Sequence, residues 1–155
     1  MNPLLKRALA LPQAIYAAGA GRVLGHRFLL LVHRGRRSGR DHRTVLEVIE
    51  WRPAEREAIV MSGFGPRAQW LRNVAAAGGA AEIELAGARE RARVRVLDRD
   101  EAIAVLAGYE RRNRVIATIL RHVLSRLAGF RYDGSPAARA RVVETLPLGA
   151  FQARD

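Results

Sequence analysis

The sequence predicts an α+β fold or a small barrel. Three observations carry this. Short apolar runs bounded by turn residues begin at Phe28, helical signals gather after Asp98, and successive strands read as mostly antiparallel neighbours, unlike a doubly wound sheet.

Residues 3 to 21 come first and read as an amphipathic helix. Asn2 followed by Pro3 is a helix start, and Pro12 is expected to kink or divide the helix. Leu4, Leu5, Leu9, Leu11, Ile15 and Tyr16 beside Lys6 and Arg7 suit a helix resting on the domain or on a membrane surface. The segment lacks the clean central apolar run of a signal peptide, and no stretch reaches the roughly 18 apolar residues of a membrane span. Residues 1–23 are therefore assigned to this helix and 24–155 to one domain.

Phe28 to His33 is a continuous apolar strand, Thr44 to Trp51 a second, and Ala58 to Ser62 a third that ends at Gly63-Phe64-Gly65-Pro66. Ala81 to Leu85 and Arg91 to Leu97 flank Ala86-Gly87-Ala88. Arg91, Arg93 and Arg95 alternate with Ala92, Val94 and Val96, the period of a half-buried strand. A short helix over Ala68 to Ala76 places Trp70, Leu71 and Val74 on one buried face. Asp98-Arg99-Asp100-Glu101 is a capping box opening a helix to about Tyr109. Val115 to Leu127 reads as another helix, Ser135-Pro136 as the start of a brief third, and Val142 to Phe151 as a closing strand.

Composition narrows the chemistry. The 155 residues carry 27 Lys+Arg against 15 Asp+Glu, a net charge of +12, and every basic residue except Lys6 is arginine. Such charge favours anionic partners. Nucleic acid is disfavoured, because the arginines are dispersed, aromatics are only 6% and no reader motif appears. The absence of cysteine excludes thiolate catalysis and zinc ribbons and is compatible with a cytoplasmic setting, with peripheral contact at the inner membrane face. His26, His33, His42 and His122 lack ligand spacing, so no metal is expected.

The densest chemical signal is His33-Arg34-Gly35-Arg36-Arg37-Ser38-Gly39-Arg40, a turn between two strands. Its glycines let the backbone turn tightly, while its guanidiniums offer planar donors to phosphate or carboxylate oxygens; a solvated basic turn is the alternative. A second constellation is Ser62-Gly63-Phe64-Gly65-Pro66 with Trp70 and Asn73. There glycines at a strand end admit a flat ligand, Ser62 supplies a hydroxyl, and Trp70 either stacks on that ligand or fills the core.

The ordered pieces Phe28 to Val32, Gly35-Arg36-Arg37-Ser38-Gly39, His42 with Val45-Leu46, Met61-Ser62-Gly63-Phe64-Gly65 and Trp70-x-x-Asn73 resemble the deazaflavin-dependent nitroreductase family of flavin and deazaflavin oxidoreductases. The likeness covers roughly residues 24 to 98. It implies a split β-barrel with flanking helices, and coenzyme F420, a deazaflavin with an anionic phosphodiester and glutamate tail. It also implies hydride transfer from the reduced cofactor to a quinone, nitro compound or activated alkene. The implied cofactor-binding residues are Arg36, Arg37, Ser38, Gly39, His42, Ser62, Gly63, Gly65, Trp70 and Asn73. Some relatives face the substrate with a C-terminal tyrosine, for which Tyr109 is the weak catalytic candidate and Tyr132 the other one available. His42 stands where the family usually has Arg, which brings FMN in as the alternative cofactor. A non-catalytic carrier of a lipid-like ligand, haem or flavin is the competing reading. Split barrels often pair through their sheets, so a homodimer is expected by analogy.

Overall fold

The computed structural model describes residues 3–155, with backbone alone for residues 4–10. Asn2 and the side chains of Leu4, Leu5, Lys6, Arg7 and Leu9, on which the expected amphipathic face rests, lie outside the described residues.

Six strands close a barrel: β1 (Phe28–Arg34), β2 (Asp41–Arg52), β3 (Glu57–Met61), β4 (Ala80–Leu85), β5 (Ala88–Val96) and β6 (Leu148–Arg154), in the order β1-β2-β3-β6-β5-β4. Every neighbouring pair is antiparallel. The local reasons are those of the sequence. Leu29, Leu30 and Leu31 are buried in succession because β1 is covered on both faces, as is β3 from Glu57 to Val60. Ala86 and Gly87, both at positive φ, turn β4 directly into β5, the left-handed pair that a two-residue hairpin requires.

Among the described residues five α-helices surround the barrel: α1 (Pro3–Ala17), α2 (Gln69–Ala76), α3 (Arg99–Arg112), α4 (Ala117–Ala128) and α5 (Pro136–Thr145). The Asp98 carboxylate accepts from the Glu101 N–H and the Ser135 hydroxyl from the Ala138 N–H, so both caps form as the sequence predicts. One core fills the barrel around Leu29, Leu31, Val60, Ile83 and Phe151; the other lies between Ile59, Leu148 and the inner faces of α3, α4 and α5.

Three expectations are corrected. Pro12 lies inside α1 and does not divide it, the helix running on to Ala17. The third C-terminal helix is not brief, and Val142 and Val143 do not begin the closing strand. They are the buried face of α5, since the Ser135 cap starts a helix whose packing against α3 outweighs the β preference of two valines. The Asp98 helix continues to Arg112 rather than stopping near Tyr109. α1 rests on the barrel through Tyr16, whose hydroxyl donates to the carbonyl of Phe28 at 2.9 Å and that of Glu84 at 3.3 Å. Among the described residues no helix is long and apolar enough to cross a membrane.

Candidate functional site

The turn between β1 and β2 is closed by the Gly35 N–H donating to Arg40 O at 2.8 Å and the Gly39 N–H donating to Gly35 O at 2.9 Å. A side chain at Gly35 would have to displace two others. A Cβ there would lie 2.5 Å from Ser38 Oγ and 2.8 Å from His42 Nε2, both of which fold over it. Gly39 holds φ +66°. The Ser38 hydroxyl accepts from the Arg40 N–H, so it serves the turn itself.

α2 clamps this turn. Asn73 Oδ1 accepts from the Arg36 backbone N–H at 3.2 Å and from Arg36 Nη1 at 2.8 Å, and Nη1 also donates to Gln69 Oε1 at 2.9 Å. Two donors on Oδ1 fix the amide orientation, so Nδ2 faces His33 and donates to its Nδ1 at 3.0 Å. His33 is then neutral, with its proton on Nε2, which donates to Thr44 Oγ1 at 3.2 Å. Burial at 5% exposure, then the nearby His42, lowers the His33 pKa below 6.5. Desolvation, then repulsion from Arg72 and Arg37, lowers that of Arg36, marking a local excess of positive charge.

Between turn and helix lies an open cleft of 610 Å³, within the range of about 300–1,000 Å³ usual for ligand sites. Arg36, Arg37, Ser38, His42, Trp70 and Asn73 line it, so the structure brings these sequence-predicted residues together. Trp70 fills the core, its indole buried against Phe151 with ring centroids 5.7 Å apart, and it also borders the cleft. Sequence reasoning quoted His33 and Phe64 within its motifs without giving either a binding role, and it missed Thr44, Arg67 and Gln69; all five line the cleft, Phe64 at 87% exposure. The Gly63-Phe64-Gly65 segment was a signal for Phe64; nothing local marked Gln69.

Gly39, Ser62, Gly63 and Gly65 are not in the cleft lining. Ser62 is fully buried and its hydroxyl donates to Gly65 O at 2.6 Å, stabilising the turn after β3 from within. Gly63 is half-buried under α4: a Cβ there would sit 3.6 Å from Leu127 Cδ1. Tyr109 lies elsewhere, in a second cleft of 460 Å³ with Glu47, Trp51 and Arg112, and its hydroxyl donates to Glu47 Oε1 at 2.7 Å. Burial, then that bond, pushes its pKa well above 10. Tyr132 is buried and donates to Glu110 Oε1. Among the described residues no three His, Asp or Glu gather into a metal site.

No sequence profile of a known family and no curated protein matches the chain. Solved structures do. A pyridoxamine 5'-phosphate oxidase-related, FMN-binding protein of Nostoc punctiforme superposes with a TM-score of 0.55 at 12% identity, over 92% of this chain and 80% of that one. A protein of unknown function from Agrobacterium tumefaciens gives 0.52 at 15%, over 92% of this chain and 55% of its own length. An F420-H2 dependent reductase gives 0.49 at 12%, over 81% and 94%. With its six antiparallel strands closed into one ring, the chain has the split-barrel fold of the FMN-binding Nostoc protein.

Proposed function

We propose that the chain is a deazaflavin-dependent oxidoreductase that carries hydride from reduced coenzyme F420 to a quinone, a nitro compound or an activated alkene. One observation carries the reading. Arg36 is held by Gln69 and Asn73 beside Arg37 and Arg67, so a cationic, pre-organised cleft stands at the motif that resembles the family's tail-binding turn.

The residues fit the group. An anionic tail meets guanidiniums that already repel one another, and guanidinium forks match phosphodiester and carboxylate oxygens. Arg36, Arg37 and Arg67 would hold that tail, and Phe64 with Trp70 would give the ring an apolar wall that limits water. When bound, the reduced deazaflavin supplies the hydride. The protein's own part is orientation: the Asn73 clamp spares the turn the entropy of ordering at binding. Pairing of copies through their sheets, and contact of α1 with the inner membrane face, belong to the same reading and are checked by light scattering and vesicle sedimentation.

FMN is the second reading. It is favoured by the FMN-binding protein that shares the fold and by His42 in place of the family's arginine. Titration of the purified chain with oxidised F420 and with FMN decides between them, followed by absorbance decay of the reduced form with menadione. Micromolar F420 binding with decay supports the enzyme. Binding of neither cofactor, with fatty acid found by mass spectrometry, supports a carrier.

A further inference from the structure

A second cluster of arginines stands apart from the turn. Arg111 on α3, Arg114 in the 3-10 turn before α4, Arg121 on α4 and Arg139 on α5 line a cleft of 250 Å³. Residues 111–131 contain no carboxylate at all. The one acid in the lining is Glu110, and both of its oxygens are committed: Oε1 accepts from the Tyr132 hydroxyl and Oε2 from Arg139 Nη2 at 2.9 Å. Asp133, the other acid near Arg121, turns its Oδ1 to the Ser135 N–H at 2.9 Å.

Donors therefore outnumber acceptors. Arg111, Arg114 and Arg121 form no ion pair among the described residues, and Arg139 Nε is buried with no hydrogen-bond partner. A buried donor left in that state destabilises its surroundings by more than a typical hydrogen bond contributes. The Arg121 guanidinium lies close to Gly134, its Nε and Nη2 3.0 Å from where a Cβ on that residue would be. Gly134 itself sits at φ +78°.

We infer that this cleft binds a phosphoryl group, free or esterified to a small molecule. Four guanidiniums against one committed carboxylate match a tetrahedral, multiply charged oxyanion better than a carboxylate with two oxygens and one charge. The site does not depend on the cofactor reading, because it lies on the three C-terminal helices and shares no residue with the turn.

The experiment is calorimetric titration of the full chain with inorganic phosphate and with glycerol phosphate, against chloride at matched ionic strength, with the melting temperature followed in parallel. Expected is saturable binding and a higher melting temperature in phosphate than in chloride. Arg114→Gln and Arg121→Gln, both at exposed positions, should each weaken binding about tenfold, while Arg154→Gln, in neither cleft, leaves the response intact and Arg36→Ala with Arg37→Ala removes only what phosphate the turn takes. Binding of the ester as well as phosphate extends the site to phosphorylated small molecules; binding of phosphate alone confines it to the free ion. The inference is overturned if phosphate acts no better than chloride, if the Arg114 and Arg121 variants titrate like the parent, or if only the turn variants lose the response.

Discussion

Asn73 Nδ2 donates to His33 Nδ1 across 3.0 Å, joining α2 to the end of β1 and leaving that imidazole no place for a second proton. A protonated His33 would set donor against donor. Its folded pKa lies below the unfolded value of about 6.5. The stabilisation is therefore complete above 6.5 and is lost as pH falls through the lower folded value. Melting temperature should decline on acidification below 6.5, and more steeply than in His33→Gln. Nitrogen chemical shifts of the ring at neutral pH should report the proton on Nε2; a proton on Nδ1 would contradict the network.

Arg36 and Arg37 should separate binding from stability. Arg37→Ala is expected to weaken a tail-bearing cofactor about tenfold or more with little change in melting temperature, since it has no bond to α2 to lose. Arg36→Ala should lose both, and Asn73→Ala should cost about 2–4 kcal/mol by leaving the His33 and Arg36 partners unmatched. Denaturant titration beside F420 titration, using a tail-less analogue as control, measures the split. Equal losses on cofactor and analogue would remove the turn's assigned role.

Tyr109→Phe should leave F420 affinity and menadione turnover unchanged. Its hydroxyl is committed to Glu47 in a different cleft, and its raised pKa makes it a poor proton donor near neutrality. A large fall in turnover at constant affinity would restore it as the catalytic tyrosine.

Glu57 is 4% exposed and accepts from Arg52 and Arg95, which both also donate to Glu101. Glu57→Gln removes two charge-assisted hydrogen bonds from an enclosed site while Arg52 and Arg95 keep Glu101, so it should cost about 1–3 kcal/mol. Hydrogen bonds from Arg95, with Arg52 adding to them, hold the Glu101 pKa at about 2 against an ordinary 4.5. That depressed value means its contribution is present above 4.5 and disappears as pH falls toward 2. Comparing Glu101→Gln with the parent by denaturation between pH 5 and 2.5 tests it; parallel curves would show that the pair contributes nothing.

Much of the fold was legible locally. The leucines of β1, the alternation in β5 and the caps at Asp98 and Ser135 each work through neighbours in sequence, which is why single segments announced them. The turn arginines were legible for the same reason. What escaped depends on distant partners. Gln69 and His33 become site residues only because α2 is folded back onto β1, and Ser62 points inward because Gly65 O waits for it. Val142 and Val143 misled because burial against α3 and burial in a strand leave the same two letters.

The position of β6 sets the order of events during synthesis. β3 and β5 each find their outer neighbour only in Leu148–Arg154, after residues 97–147 have intervened. Until then a nascent chain exposes two unsatisfied edges, and closing the ring is a high-contact-order step governed by the encounter of remote segments. Loss of that last strand would open the cylinder rather than trim it, and the interval before it docks is when two chains are most apt to exchange strands.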